Sequence, residues 1–257
     1  MFKKIKKTGI NAVQKAGNYA LKEYEKFHRS QVNLKFGHEV VTKVDLGSEK
    51  IVIKEIKKSF PDHEILSEES GDNFKKSDYL WIIDPIDGTT NFTIHNPLWA
   101  VSLGLAYKNK IIFGFIYAPV LKELFLAEKG KGAYLNNRKI RISRVKKTKE
   151  IHTFCHGSTK ESVLKALKYY QYQKLHKLDC RQLGSASMEL AYVASGRVES
   201  IMIPGAHSWD VAAGALLVRE AGGRVSDFDG KVWDLKSKDI LATNGRTHNS
   251  ILKIINS

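Results

Sequence analysis

Trp81-Ile82-Ile83-Asp84-Pro85-Ile86-Asp87-Gly88-Thr89-Thr90-Asn91-Phe92 decides how this chain folds. Tyr79 to Ile83 is apolar and predicts a buried strand that runs straight into two carboxylates, Asp84 and Asp87. Pro85 keeps Asp84 extended and aims its side chain at the strand's end. Gly88 removes a side chain where backbone must come close to a ligand. Thr89 and Thr90 add hydroxyls and N–H groups at a helix start, a setting that attracts anions. Acids crowded beside an anion site call for a cation between them, and all-oxygen donors suit a hard divalent ion. Taken alone the stretch also reads as a turn, because Asp-Pro and Asp-Gly are both turn formers.

Working outward, Ser67-Glu68-Glu69-Ser70-Gly71 follows a short strand over Glu64 to Leu66. Downstream, Ser208-Trp209-Asp210 opens an apolar helix that continues to about Ala221. Each signal has a plainer meaning by itself: an acidic pair on a solvated surface, and an acid favoured by a helix dipole. The first thirty residues carry apolar positions at helical spacing, and residues 32–41 lose that pattern, as a loop or hairpin would. Asp45 is placed to cap a second helix ending near Ser59. Trp99 to about Ser143 predicts several antiparallel strands, broken at Asn109-Lys110, Pro119 and Gly130 to Gly132. Helices near 160–170 and over Ser185 to Ala194, strands at Val198 to Ile203 and Ile240 to Ala242, and a short terminal helix complete the pattern. The expected architecture is layered α/β.

At 257 residues with 42% hydrophobic content, the chain can bury a large core. No apolar run is long enough to span a bilayer, and two cysteines make no disulfide framework, so a cytoplasmic location is expected. The net charge of +15 suits partners rich in phosphate. The excess is spread as scattered lysines with no nucleic-acid-binding motif, which argues against nucleic acid as the main partner. His152, Cys155, His156 and Cys180 lack the second half of a zinc pattern and read as scattered residues. No Gly-x-Ser-x-Gly element or reactive cysteine motif announces a covalent nucleophile.

Glu68-Glu69-Ser70, Asp84 to Phe92, Trp209-Asp210-Val211-Ala212-Ala213-Gly214 and Glu220-Ala221-Gly222-Gly223 together resemble the inositol monophosphatase family over nearly the whole chain. The resemblance implies a single α/β/α/β/α sandwich domain, with metal motifs in about 1–148 and the substrate turn and last metal ligand in about 149–257. It implies two or three magnesium ions, a homodimer, lithium sensitivity, and hydrolysis of a small soluble phosphorylated metabolite, inositol monophosphate first. Glu68, Asp84 and the Ile86 carbonyl would hold one ion, and Asp84, Asp87 and Asp210 a second. Glu68 with Thr89 would activate water, and the Gly88 and Thr89 N–H groups would bind phosphate. Gly184, Ser185 and Ala186, with Asp87, would touch the alcohol of the substrate, while Met188 and Leu190 read as core.

Two departures stand out. Inositol-specific members usually carry glutamate seven residues before the aspartate of Trp-Asp, where this chain has Ile203. Isoleucine cannot accept hydrogen bonds from substrate hydroxyls, which leaves fructose 1,6-bisphosphate, histidinol phosphate and nucleotide phosphates open as substrates. In the family's mobile loop, Glu39 stands before Val40-Val41-Thr42-Lys43-Val44-Asp45, and Lys35 and Glu39 are the residues that could close over the metals. From a different class, the chain could serve as a basic RNA- or protein-interaction partner on a phosphatase scaffold.

Overall fold

The computed structural model describes residues 1–31, 33–34, 40–73, 75–145, 150–157 and 159–256. Lys35 and Glu39 lie outside these residues. The chain opens with α1 (Phe2–Tyr24), which buries Ile5, Ala12, Val13, Ala16 and Ala20 along one face. β1 (Asn33–Leu34) and β2 (Val40–Val41) pair antiparallel and lead into α2 (Lys43–Ser59). Thr42, not Asp45, is the N-cap of α2. The Thr42 side chain accepts the Val44 N–H, while Asp45 reaches back to accept the Thr42 N–H at 2.8 Å in a capping box.

β3 (Glu64–Ser67), β4 (Gly71–Asp72), β5 (Tyr79–Asp87), a short α3 (Thr89–Thr93), β6 (Ala100–Tyr107), β7 (Lys110–Ala118), β8 (Glu123–Glu128), β9 (Gly132–Leu135) and β10 (Arg138–Lys139) follow. Among the described residues they build an eight-stranded sheet in the order β10-β9-β8-β7-β6-β5-β3-β4. β3 runs parallel to β5, and the run from β5 to β10 is antiparallel. Lys108 and Asn109 both take positive φ, 48° and 61°, as the tight turn between β6 and β7 requires.

β11 (Ile151–Phe154), α4 (Lys160–Leu175), β12 (Asp179–Arg181), α5 (Ala186–Ala194), β13 (Ser200–Pro204), α6 (Ser208–Glu220), β14 (Arg224–Ser226), β15 (Asp239–Thr243) and α7 (His248–Asn256) complete the chain. Their strands form a five-stranded sheet in the order β12-β11-β13-β15-β14. β11 and β12 were not foreseen from sequence, because three or four residues each are too short to show a period.

Alternation along β5 sorts its side chains into two cores. Trp81 and Ile83 pack with Ile5, Val13, Val52 and Ile56 beneath α1 and α2. Ile82 points the other way, to Leu190, Val193, Leu217 and, from the second sheet, Ile201 and Ala242. Phe154, Tyr169, Met202, Leu241 and Ile251 seal the far face of that second sheet under α4 and α7. The result is the layered α/β/α/β/α sandwich expected from the sequence, with Met188 and Leu190 fully buried. α6 sits so close to the first sheet that a Cβ on Gly114 would stand 2.5 Å from the Ala213 carbonyl oxygen.

Candidate active site

Parallel pairing of β3 with β5 brings the end of one strand beside the end of the other: Ser67 is opposite Ile83, and the Glu68 N–H donates to the Ile83 carbonyl at 3.1 Å. Glu68 thereby lies next to Asp84. The β5–β6 register slips between Asp84 and Asp87, so an irregularity re-aims both acids at the strand's end. Asp210 arrives from α6, where its Oδ2 accepts the His207 N–H at 2.9 Å. Burial raises the Asp84 carboxyl well above the ordinary range, and the charges of Glu68, Asp87 and Asp210 push it further the same way. Glu68, Asp87 and Asp210 line a cavity of about 490 Å³, and Asp84 is buried.

Asp87 is held differently. Its Oδ1 accepts the Ala186 N–H at 3.1 Å; its Oδ2 accepts the Ser187 N–H at 2.7 Å and both the Ser185 and Ser187 hydroxyls. A strand-end acid from the first half of the chain thus caps α5 in the second half. Burial raises Asp87, and these hydrogen bonds pull it back. Among the described residues, no three acidic, histidine or cysteine side chains converge closely enough to form a finished metal cage. The turn of Asp87 toward α5 accounts for part of that. The donor set nonetheless fits a hard cation: Asp84 is buried and faces the charges of Glu68, Asp87 and Asp210, a repulsion that a divalent ion relieves.

Gly88 takes φ +88°, and a Cβ there would come within 3.1 Å of the carbonyls of Leu98 and Gly184. Thr89, expected beside Glu68, instead has its hydroxyl 3.1 Å from Asp45 Oδ1 and 2.9 Å from the Ile86 carbonyl. Ile86 O keeps a second lone pair for an ion. Burial pushes Asp45 up to about 6, against the hydrogen bonds from Thr42 and Thr89. The sequence reading missed Asp45 as a site residue. Its neighbours on α2 carried the signal: Ser48 donates to the Pro85 carbonyl at 2.8 Å, and Glu49 accepts the Ser70 N–H at 3.0 Å. Asp45, Ser48 and Glu49 share one buried helix face, and each holds a different part of the site.

Ile203, His156, Gln182, His207 and Trp209 line the same cavity. Ile203 is buried and presents apolar surface where a glutamate would accept hydrogen bonds. Gly184 and Ala186 line the cavity as well, whereas Ser185 is buried against Asp87. The Glu220-Ala221-Gly222-Gly223 element stands apart from the acids: Glu220 accepts the Gly130 and Gly132 N–H groups, each at 2.8 Å. His152 and Cys155 likewise bond to Ser200 and Glu189.

Layered fold and acid cluster together define a phosphatase-type α/β protein. The chain belongs to the inositol monophosphatase family, whose profile matches residues 2–257. It is 39% identical over 249 residues to the Nus factor SuhB of Pasteurella multocida, covering 96% of this chain and 93% of that protein. It is 38% identical over 218 residues to the fructose-1,6-bisphosphatase/inositol-1-monophosphatase of Thermotoga maritima, covering 85% of this chain and 83% of the relative. Its fold superposes on the crystal structure of the extragenic suppressor protein SuhB from Bartonella henselae with a TM-score of 0.91, at 33% identity and 98% coverage of both chains.

Proposed function

We propose that this chain is a magnesium-dependent phosphomonoesterase that transfers the phosphoryl group of a small soluble ester to water. The supporting observation is Asp84, raised by its burial and by three neighbouring acids, Glu68, Asp87 and Asp210, which line a cavity of about 490 Å³. Glu68, Asp84, Asp87, Asp210 and the Ile86 carbonyl would hold two or three magnesium ions. Bound there, magnesium supplies charge neutralisation and an acidified water. Thr89, whose hydroxyl donates to Asp45 Oδ1 or the Ile86 carbonyl, would accept a hydrogen bond from the attacking water, and as that water loses its proton Asp45, near 6, would take up a proton through Thr89. Glu68 supports the same step from the β3 side. Gly88 and Thr89 N–H groups receive the phosphate, and Gly184, Ala186 and Asp87 face the alcohol.

Inositol monophosphate is the first substrate to try. Ile203 favours including fructose 1,6-bisphosphate, histidinol phosphate and nucleotide phosphates in the same panel. Phosphate release with and without magnesium tests the reading; metal binding with no release from any ester would overturn it for this panel. Lithium inhibition belongs to the same experiment. A homodimer has a candidate surface on α4, where Leu164, Leu167 and Leu175 are 55%, 54% and 72% exposed.

A second reading rests on the relatives named Nus factor and on the charge of +15: a basic interaction partner for RNA or protein. Salt-sensitive nucleic-acid binding that survives Asp87→Asn would favour it. Among the described residues no helix is long and apolar enough to cross a membrane.

A further inference from the structure

Glu189 lies in the first turn of α5 with none of its surface exposed. A carboxylate in that setting is expensive unless its partners justify it. Three donors converge on its Oε1: the N–H groups of Leu183 and Gly184, both at 3.1 Å, and the Cys155 thiol at 3.2 Å. Leu183 and Gly184 form the turn that enters α5, and Gly184 and Cys155 both line the cavity. Gly184 takes φ +81°, a conformation that needs an external hold to persist as one state.

From the other side, Asn91 of the acid motif donates its amide to the Leu183 carbonyl and to the Leu98 carbonyl, each at 2.7 Å. The turn is therefore clamped at its N–H groups by Glu189 and at its carbonyl by Asn91. The Thr153 hydroxyl, 3.2 Å from the Ser200 carbonyl, also lies within hydrogen-bonding reach of Glu189.

We propose that Glu189 is a positioning residue for the alcohol end of the reaction. By fixing the Leu183–Gly184 turn, it sets which leaving alcohols are seated well, without touching them. This rests on reading the site as a phosphatase. Burial pushing Glu189 up to about 7 agrees with a carboxylate held where stability would not choose it.

The test compares wild type, Glu189→Leu and Glu189→Gln on the metabolite that wild type cleaves best and on p-nitrophenyl phosphate. Amide hydrogen exchange at Leu183 and Gly184 is measured alongside. In Glu189→Leu, the metabolite KM should rise about tenfold, with kcat/KM on the aryl ester within about twofold and both amides exchanging faster. Glu189→Gln keeps an acceptor oxygen and should recover most of the KM. Should the leucine variant not fold, Glu189→Asp keeps the charge, withdraws the oxygen by one methylene and should give the same split. Equal losses on both esters, or an unchanged metabolite KM in an active enzyme, overturn the proposal. Unchanged exchange at both amides overturns it whatever the activity. A wild type that cleaves nothing sinks the phosphatase reading instead, with the exchange rates still deciding whether Glu189 holds the turn.

Discussion

His248, fully buried in the five-stranded-sheet half, shares Nε2 with the Ser226 hydroxyl at 2.8 Å and Nδ1 with the Thr243 hydroxyl at 3.0 Å. Nearby, His152 Nδ1 meets the Ser200 hydroxyl at 2.7 Å, and burial pushes both imidazoles down to about 4. At the end of β5, Asp84 is buried as deeply but surrounded by other acids. Burial disfavours the charged form in both regions. The histidines answer by staying neutral beside hydroxyls, with the Glu150 carboxylate 3.7 Å from His152 Nε2. The acids have no such answer at neutral pH without a proton or a cation. Neutral partners are enough to keep the buried histidines as parts of the fold, whereas a buried acid crowded by other acids, as Asp84 is, marks the site.

The sharpest way to break that contrast is Asp84→Asn. Turnover should fall about a thousandfold or more, because several kcal/mol of charge stabilisation depend on the carboxylate. Melting without magnesium should move to higher temperature, because a repulsion is gone. Retained magnesium-dependent activity would defeat the metal assignment. Ser200→Ala should do the opposite: it strips a partner from His152 and Tyr169, costs about 1–3 kcal/mol of stability in urea titration, and leaves kcat alone.

A pH series separates the two regions within one protein. Asp45 and Glu189 have folded values near 6 and 7, above their unfolded ones, so the native state binds more protons and gains stability as pH falls through that range. Between pH 8 and 6.5 these two acids should contribute about 1 kcal/mol of added stability to the metal-free protein, and the two buried histidines should take back a similar amount. The histidines act in the opposite direction because their folded values near 4 are depressed: their contribution is lost as pH falls from about 7 toward 4. Saturating magnesium should flatten the part due to Asp84 and leave the part due to Glu189. A wild type whose stability changes between pH 8 and 6.5 as that of Glu189→Gln does would contradict the raised Glu189. Smallest of all, Glu49→Gln keeps an acceptor for Ser70 and should change kcat/KM by about threefold or less.

Much of this was legible in the sequence, because the motif of 84–92 combines strand, turn and chemistry in adjacent residues. The mixed helices and strands and the core positions Met188 and Leu190 follow from local pattern, while the five layers and the joint role of the acids at 68, 84, 87 and 210 came from the family resemblance that their motifs carry. Asp45 was hidden by an honest local role: one oxygen serves the helix start at Thr42, and the other reaches Thr89 across the fold. Glu189 was hidden likewise, as one polar letter between two core residues. Its partners lie at Cys155 and on the turn before it, and no spacing rule links a helix to the end of a strand 34 residues earlier. Thr89 makes the same point: its hydroxyl bonds to Asp45 and the Ile86 carbonyl, partners set by which elements pack.

Gly114 has no functional group and sits on a strand that contributes no acid to the site. Yet the carbonyl of Ala213, three residues beyond Asp210, occupies the space that any side chain there would need. A methyl at 114 would tilt the helix that carries Asp210 and shift that carboxylate relative to Asp84. In a genetic screen for loss of activity, alleles at Gly114 should therefore fall in the same class as alleles at the acids, and would be taken for catalytic lesions by anyone reading phenotype alone.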